Sequence, residues 1–104
     1  MWTMKNSIKH DGVTRKFFTV VGGKECILRY EKVSETIWDF KMLFVPANLR
    51  GQGIAAQVVE YAFGFARKNL IKVKASCSYV KSFVKKNKDK FQEVLLRPET
   101  ATLL

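Results

Sequence analysis

Acidic residues are scarce in this sequence: nine Asp and Glu stand against nineteen Lys and Arg, a net charge of +10. Such an excess favours anionic partners, among them nucleic acid, phosphorylated cofactors and acidic surfaces, without choosing between them. Cysteine is scarcer still. Cys26 and Cys77 are the only two, far apart and in no CxxC pair, so neither a zinc ribbon nor a dithiol redox motif is indicated and no metal is expected. A disulfide between them would be out of place in a reducing compartment, and Cys26 reads as a reduced thiol at least partly buried in a strand. No apolar run approaches the length of a membrane span. Met1 to Gly12 is polar and mixed in charge, without the apolar stretch of a secretory signal, so the expected location is cytoplasmic. The one histidine, His10, lies in that polar arm and reads as a solvated loop residue, which makes a Cys–His dyad improbable.

What is present is a globular composition. Apolar residues make up 47% of 104, enough for one domain with a modest core spanning 1–104, with loose ends at 1–14 and 98–104. Arg15 to Val21 is rich in β-branched and aromatic residues and stops at Gly22-Gly23, which suggests a hairpin into a second strand, Glu25 to Val33, with Cys26, Leu28 and Tyr30 on one face. Thr36 to Val45 is a third strand. Its far half, Met42-Leu43-Phe44-Val45, is apolar throughout, the pattern of a strand covered on both faces, and Pro46 ends it. Gly53 to Asn69 reads as the main helix, with Ile54, Val58, Tyr61, Ala62, Phe65 and Ala66 at helical spacing. Ile71 to Ser78 is a fourth strand, placed parallel to the third by the helical crossover. Val80 to Asn87 is a short basic helix, and Phe91 to Leu96 a candidate last strand.

The chemistry concentrates where the third strand hands over to the main helix. A helix start exposes unpaired N–H groups and the positive end of its dipole, which most helices answer with Ser, Thr or Asp at the cap or acids in the first turn. No acid occurs here from Pro46 to Val59. Gly51 and Gly53 flank Gln52 and let the backbone approach a ligand, and Arg50 adds a positive charge. Together these describe an anion site that a pyrophosphate would fit. The competing reading is a plain glycine turn capped by Asn48 or by water. Two familiar phosphate motifs fail: Gly53 is followed by Ile54 and Ala55 rather than Lys and Ser, as a Walker loop needs. The dinucleotide fingerprint needs an acid about twenty residues on, and none lies between Glu60 and Asp89.

Arg50-x-x-Gly53-x-Ala55, after an apolar strand ending in Val45-Pro46, resembles the Arg/Gln-x-x-Gly-x-Gly/Ala signature of the GNAT superfamily of acetyl-CoA-dependent N-acyltransferases. Asp39 in the preceding strand and Ala75-Ser76-Cys77-Ser78-Tyr79-Val80 after the helix are similar to the short single-domain branch, over about residues 15 to 96. The resemblance implies an α+β fold: a mixed sheet of four to five strands, one long central helix and a shorter C-terminal helix. It implies that coenzyme A or acetyl-CoA is held by Phe44, Val45 and Pro46 along the strand, by Arg50, Gly51, Gln52, Gly53, Ile54 and Ala55 at the pyrophosphate, and by Ser78 and Tyr79. A backbone N–H near Val45 would stabilise a developing oxyanion. Cys77 matches the cysteine of the short branch and is the catalytic candidate as acyl acceptor; packing against the cofactor is the preferred reading of it, since buried cysteine is usually inert. Tyr79 would give a hydroxyl or stack on the cofactor, against a core-closing role. Glu25, Glu31 and Asp39 are candidate bases through water.

The likeness also has gaps. The short branch carries His-Thr where Met42 and Leu43 stand, and the helical Tyr that serves many such enzymes falls at Phe83 or Val84. None of these can move a proton. Three functions therefore compete: acetyl transfer to a small-molecule or protein amine, a non-catalytic acyl-CoA-binding module, and a nucleic-acid binder. The last rests on Lys81, Lys85, Lys86, Lys88 and Lys90 interleaved with Tyr79, Phe83 and Phe91, a run that also reads as a solvated helix face.

Overall fold

The computed structural model describes residues 7–96. Five strands form one sheet in the order of the chain: β1 (Lys9–Asp11), β2 (Lys16–Val21), β3 (Lys24–Lys32), β4 (Ile37–Phe44) and β5 (Lys72–Ala75). The first four are antiparallel; β5 runs parallel to β4, as a strand returning through a helix should. That helix is α1 (Ile54–Lys68). Two shorter helices follow, α2 (Ser78–Lys86) and α3 (Lys88–Phe91), and 3-10 turns sit at Ala47–Leu49 and Gln92–Val94. This is the expected α+β arrangement, with three helices on a five-stranded mixed sheet.

The core lies between α1 and one face of the sheet. Phe17, Cys26, Leu28, Tyr30, Trp38 and Phe40 supply the strand side and are buried. On α1 the buried residues are Ile54, Val58, Val59, Ala62, Phe63 and Ala66. The expected stripe thus needs correction: Tyr61 is 43% exposed, while Val59 and Phe63 go inside. The reason is a second contact surface. Phe63 meets Phe40 of the sheet and Phe91 of α3, so α1 buries a wider arc than a sheet alone would cover.

Three further expectations are corrected at the ends of elements. Residues 1–14 are not uniformly loose: β1 pairs with β2, and Asp11 Oδ1 accepts the N–H groups of Val13 and Thr14 to close the turn. His10 on β1 is not a solvated loop residue. Its ring stacks on Phe17 with centroids 4.5 Å apart and lies 4.4 Å from Phe65, and its Nε2 is 2.6 Å from the Tyr30 hydroxyl. Burial holds its pKa below the usual histidine value, with Lys32 assisting and Asp11 opposing. At the other end, Phe91 to Leu96 is not a strand. Phe91 and Val94 are both buried, a helical spacing realised by α3 and the turn after it, and only a single bridge, Val73 to Leu95, joins the sheet. The readings of residues 1–6 and 98–104 as loose ends lie outside the described residues.

A fifth departure from expectation, in β4, positions the site. β3 and β4 pair with one offset up to Tyr30–Phe40 and another from Arg29–Met42, which leaves Lys41 without a partner in the ladder. Such a bulge reverses which face later side chains take. Before it, Trp38 and Phe40 face the core; after it, Val45 is buried and Leu43 half-buried, while Met42 and Phe44 are 44% and 48% exposed. The apolar run Met42 to Val45 is therefore not covered on both faces.

Candidate functional site

β5 stays with β4 only from Ile37 to Phe40. The Cys77 N–H donates to Phe40 C=O at 3.0 Å, and the chain then turns away into α2. From Met42 onward β4 is paired with β3 alone, so a wedge opens between the two parallel strands. Asp39 fixes the point of divergence. It is 3% exposed; its Oδ1 accepts the Ser76 N–H at 3.2 Å and its Oδ2 the Ser76 hydroxyl at 2.8 Å. Lys41 Nζ lies 3.7 Å from the same carboxylate. Asp39 is thus committed to holding the end of β5, which leaves it poorly placed to serve as a base. Glu25 pairs with Lys16 at 3.2 Å, and Glu31 is an exposed strand residue 3.9 Å from Lys41.

At the mouth of the wedge lies a cleft of 470 Å³ lined by Leu43, Phe44, Val45, Leu49, Arg50, Gly51, Gly53, Ile54, Ala55 and Tyr79. Eight of these match the residues expected from the sequence. Pro46, Gln52 and Ser78 do not line it. Pro46 starts the 3-10 turn, Gln52 Nε2 donates to Asn48 C=O at 3.2 Å, and Ser78 is the exposed first residue of α2. Leu43 and Leu49 are additions. The bulge turns Leu43 inward, and the 3-10 turn buries Leu49; neither has a local sequence signature.

The tip of α1 is open. Gly53 is its N-cap, no side chain caps it, and the first turn contains no acid. The first N–H bonded at this end is that of Gln57, to Gly53 C=O, so the N–H groups of Ile54, Ala55 and Ala56 precede the internal ladder. Asn48 does not serve as cap: its side-chain oxygen receives Lys24 Nζ at 3.4 Å. Gly51 and Gly53 have φ of +82° and +81°, a region L side chains rarely adopt, and a Cβ built at either would meet nothing within 4 Å. The glycines thus shape the turn, and the space in front of them is free. Arg50 Nε donates to Val45 C=O at 3.0 Å, which ties the turn to the end of β4 and leaves the rest of the guanidinium at the cleft. A helix dipole, unbonded amides and a guanidinium together fit a pyrophosphate.

The other expected residues are placed as follows. Cys77 is buried at the N-cap of α2 and does not line the cleft; its backbone is bonded on both sides, to Phe40 and Lys81. His10 is packed between Phe17 and Phe65, so no imidazole activates that thiol. Tyr79 lines the cleft at 38% exposure, and burial raises the pKa of its hydroxyl. Phe83 lies between Tyr79 and Phe91, outside the cleft, and Met42 points out of the sheet's open face. Of the aromatics in the basic run, Phe91 is buried and Phe83 half-buried, which leaves Tyr79 alone with an exposed face.

Known proteins resemble this chain in sequence and, in one solved structure, in fold. The family profile described as GCN5-related N-acetyl-transferase matches residues 16–94. Protein NATD1 of Gallus gallus is 32% identical over 82 residues, covering 77% of this chain and 74% of the relative; Protein NATD1 of Homo sapiens is likewise 32% identical, over 73% of its length. The NMR solution structure of a GCN5-like putative N-acetyltransferase from Staphylococcus aureus superposes with a TM-score of 0.69 at 26% identity, covering 90% of this chain and 91% of that one. With its wedge, its open helix tip and these relatives, the chain belongs to the GCN5-related N-acetyltransferase family.

Proposed function

We propose that this protein binds acetyl-CoA in the cleft between β4 and α1 and passes the acetyl group to an amine. The observation that carries the reading is the uncapped tip of α1, with two left-handed glycines facing open space beside the half of β4 that β5 leaves. The amides of Ile54 and Ala55, with Arg50, would hold the pyrophosphate. The exposed edge of β4 at Phe44 and Val45 would pair with the pantetheine arm, and Leu43 and Leu49 would give its apolar contacts. Bound there, acetyl-CoA supplies an activated acetyl group; the protein's part is to align it with the amine and exclude competing geometries.

Proton handling falls to few groups. Among the described residues, Tyr79 and Arg50 are the only ionisable ones that line the cleft. A phenol is protonated near neutral pH, so the Tyr79 hydroxyl can donate a proton to a departing thiolate, although burial raises its pKa and makes it a weaker acid. Cys77 acts by packing, since it is buried and lies outside the cleft lining.

Acetyl transfer to a panel of amines and basic peptides, read by mass spectrometry, tests the proposal. Tyr79→Phe should lower turnover by about 100-fold, the lower end of the range for general acid–base groups, with little change in coenzyme A affinity. The placement of Leu43 in the cleft and Phe83 outside it favours one rival, a non-catalytic acyl-CoA-binding module. No acetylated product from a protein that still binds coenzyme A would establish that rival instead.

A further inference from the structure

A second cavity, of 460 Å³, lies beside β5, between that strand, α2 and the turn after α3, and shares no lining residue with the cleft. Its size is within the range of about 300–1,000 Å³ usual for small-ligand sites. Ala75, Leu95 and Leu96, all half-buried, contribute its accessible apolar walls over the buried Val73 and Val84, while Lys74, Lys81, Ser82 and Lys85 stand around it. No acid lines it. None of the three lysines is ion-paired with a described carboxylate, and the Ser82 hydroxyl has no hydrogen-bond partner among the described residues. The acid nearest in sequence to Leu95, Glu93, is held elsewhere, by Arg67 Nε at 3.1 Å.

Three cations of like sign around one surface cavity repel one another and focus a positive potential into it. An anion offsets that repulsion, and the apolar walls favour a hydrocarbon body attached to it. The geometry points to a binding site for a small anionic amphiphile, a carboxylate or phosphate monoester on a short apolar chain, separate from the cleft at α1. The head would sit among Lys74, Lys81, Lys85 and the Ser82 hydroxyl, and the chain against Ala75, Leu95 and Leu96.

Amide NMR titration of the full chain with octanoate, with octyl phosphate and with uncharged octanol tests this. Octanoate or octyl phosphate should shift the amides of Val73, Ser82, Val84 and Leu95 saturably, and the stronger of the two identifies the head group. Octanol should bind at least about tenfold more weakly, a loss of about 1.4 kcal/mol. The triple variant Lys74→Glu, Lys81→Glu, Lys85→Glu changes exposed side chains only, so its spectrum should stay folded while the affinity for the anions falls at least about tenfold. No saturable shift with either anion, or equal affinity in the triple variant, would overturn the proposal. So would binding of a single-stranded oligonucleotide through the same lysines that neither amphiphile displaces, since that would assign the surface to nucleic acid.

Discussion

Gly53→Glu should reduce coenzyme A affinity by at least about 100-fold, or about 2.7 kcal/mol, in a calorimetric titration. The substitution sets a carboxylate at the N-cap of α1, where the helix dipole and the amides of Ile54 and Ala55 would otherwise meet a pyrophosphate. Backbone strain must be separated from charge. Gly53 has φ of +81°, so any side chain there costs about 1 kcal/mol of folding stability, although a Cβ finds open space. Gly53→Ala carries the same strain without the charge and should cost the same stability while losing at most about tenfold in affinity. Equal losses in the two variants would mean that the turn's shape matters and its polarity does not.

The second large effect lies at Asp39. Asp39→Ala removes both acceptors of Ser76 and leaves its part-buried N–H without a partner. The expected loss is about 2–3 kcal/mol of stability by denaturant unfolding, the range for charge-assisted hydrogen bonds together with an orphaned donor. Coenzyme A affinity should fall as well, because Ser76 leads through Cys77 into Tyr79 and the wedge angle is set there. Asp39→Asn keeps one acceptor and should lose about half as much. The ion pair with Lys41 contributes little by comparison, since Lys41 is 45% exposed. An unchanged unfolding midpoint in Asp39→Ala would remove this carboxylate from the account of how the strands are parted.

These two positions differ in how far the sequence announces them. Gly51 and Gly53 are legible because a left-handed backbone at a helix start demands glycine, and the lack of acids from Pro46 to Val59 marks an uncapped tip by composition alone. The hairpin at Gly22-Gly23 is legible for the same conformational reason, and both of its glycines have positive φ. The bulge at Lys41 is not legible. A lysine in a strand reads as an ordinary exposed residue, and nothing local says that the register shifts there. Without the bulge, Met42 to Val45 reads as a doubly covered strand, and Leu43 is missed as a cleft residue.

Tertiary context hides the remainder. β1 is three residues long, too short for any period to emerge, and His10 owes its burial to Phe17 and Phe65, which other elements bring to it. Phe91 to Leu96 has the composition of a strand, but Phe91 is drawn under Phe63 and the chain coils instead. Tyr61 carries the helical period as well as Val59 and Phe63 do, yet it is exposed while Phe65 stays half-buried against the sheet; the contact of Phe63 with Phe91 of α3 is what the period cannot show. The anion cavity beside β5 depends on α2 and the last turn converging, which no single segment encodes.

The central claim is that the open tip of α1 takes up the diphosphate of coenzyme A. Its most direct test is an amide NMR titration of the wild-type chain with coenzyme A. Saturable shifts centred on Gly51, Gly53, Ile54, Ala55 and Ala56, with Val45 following, are the predicted result. Perturbations confined to the lysine face of α2, or none at millimolar ligand, would contradict it.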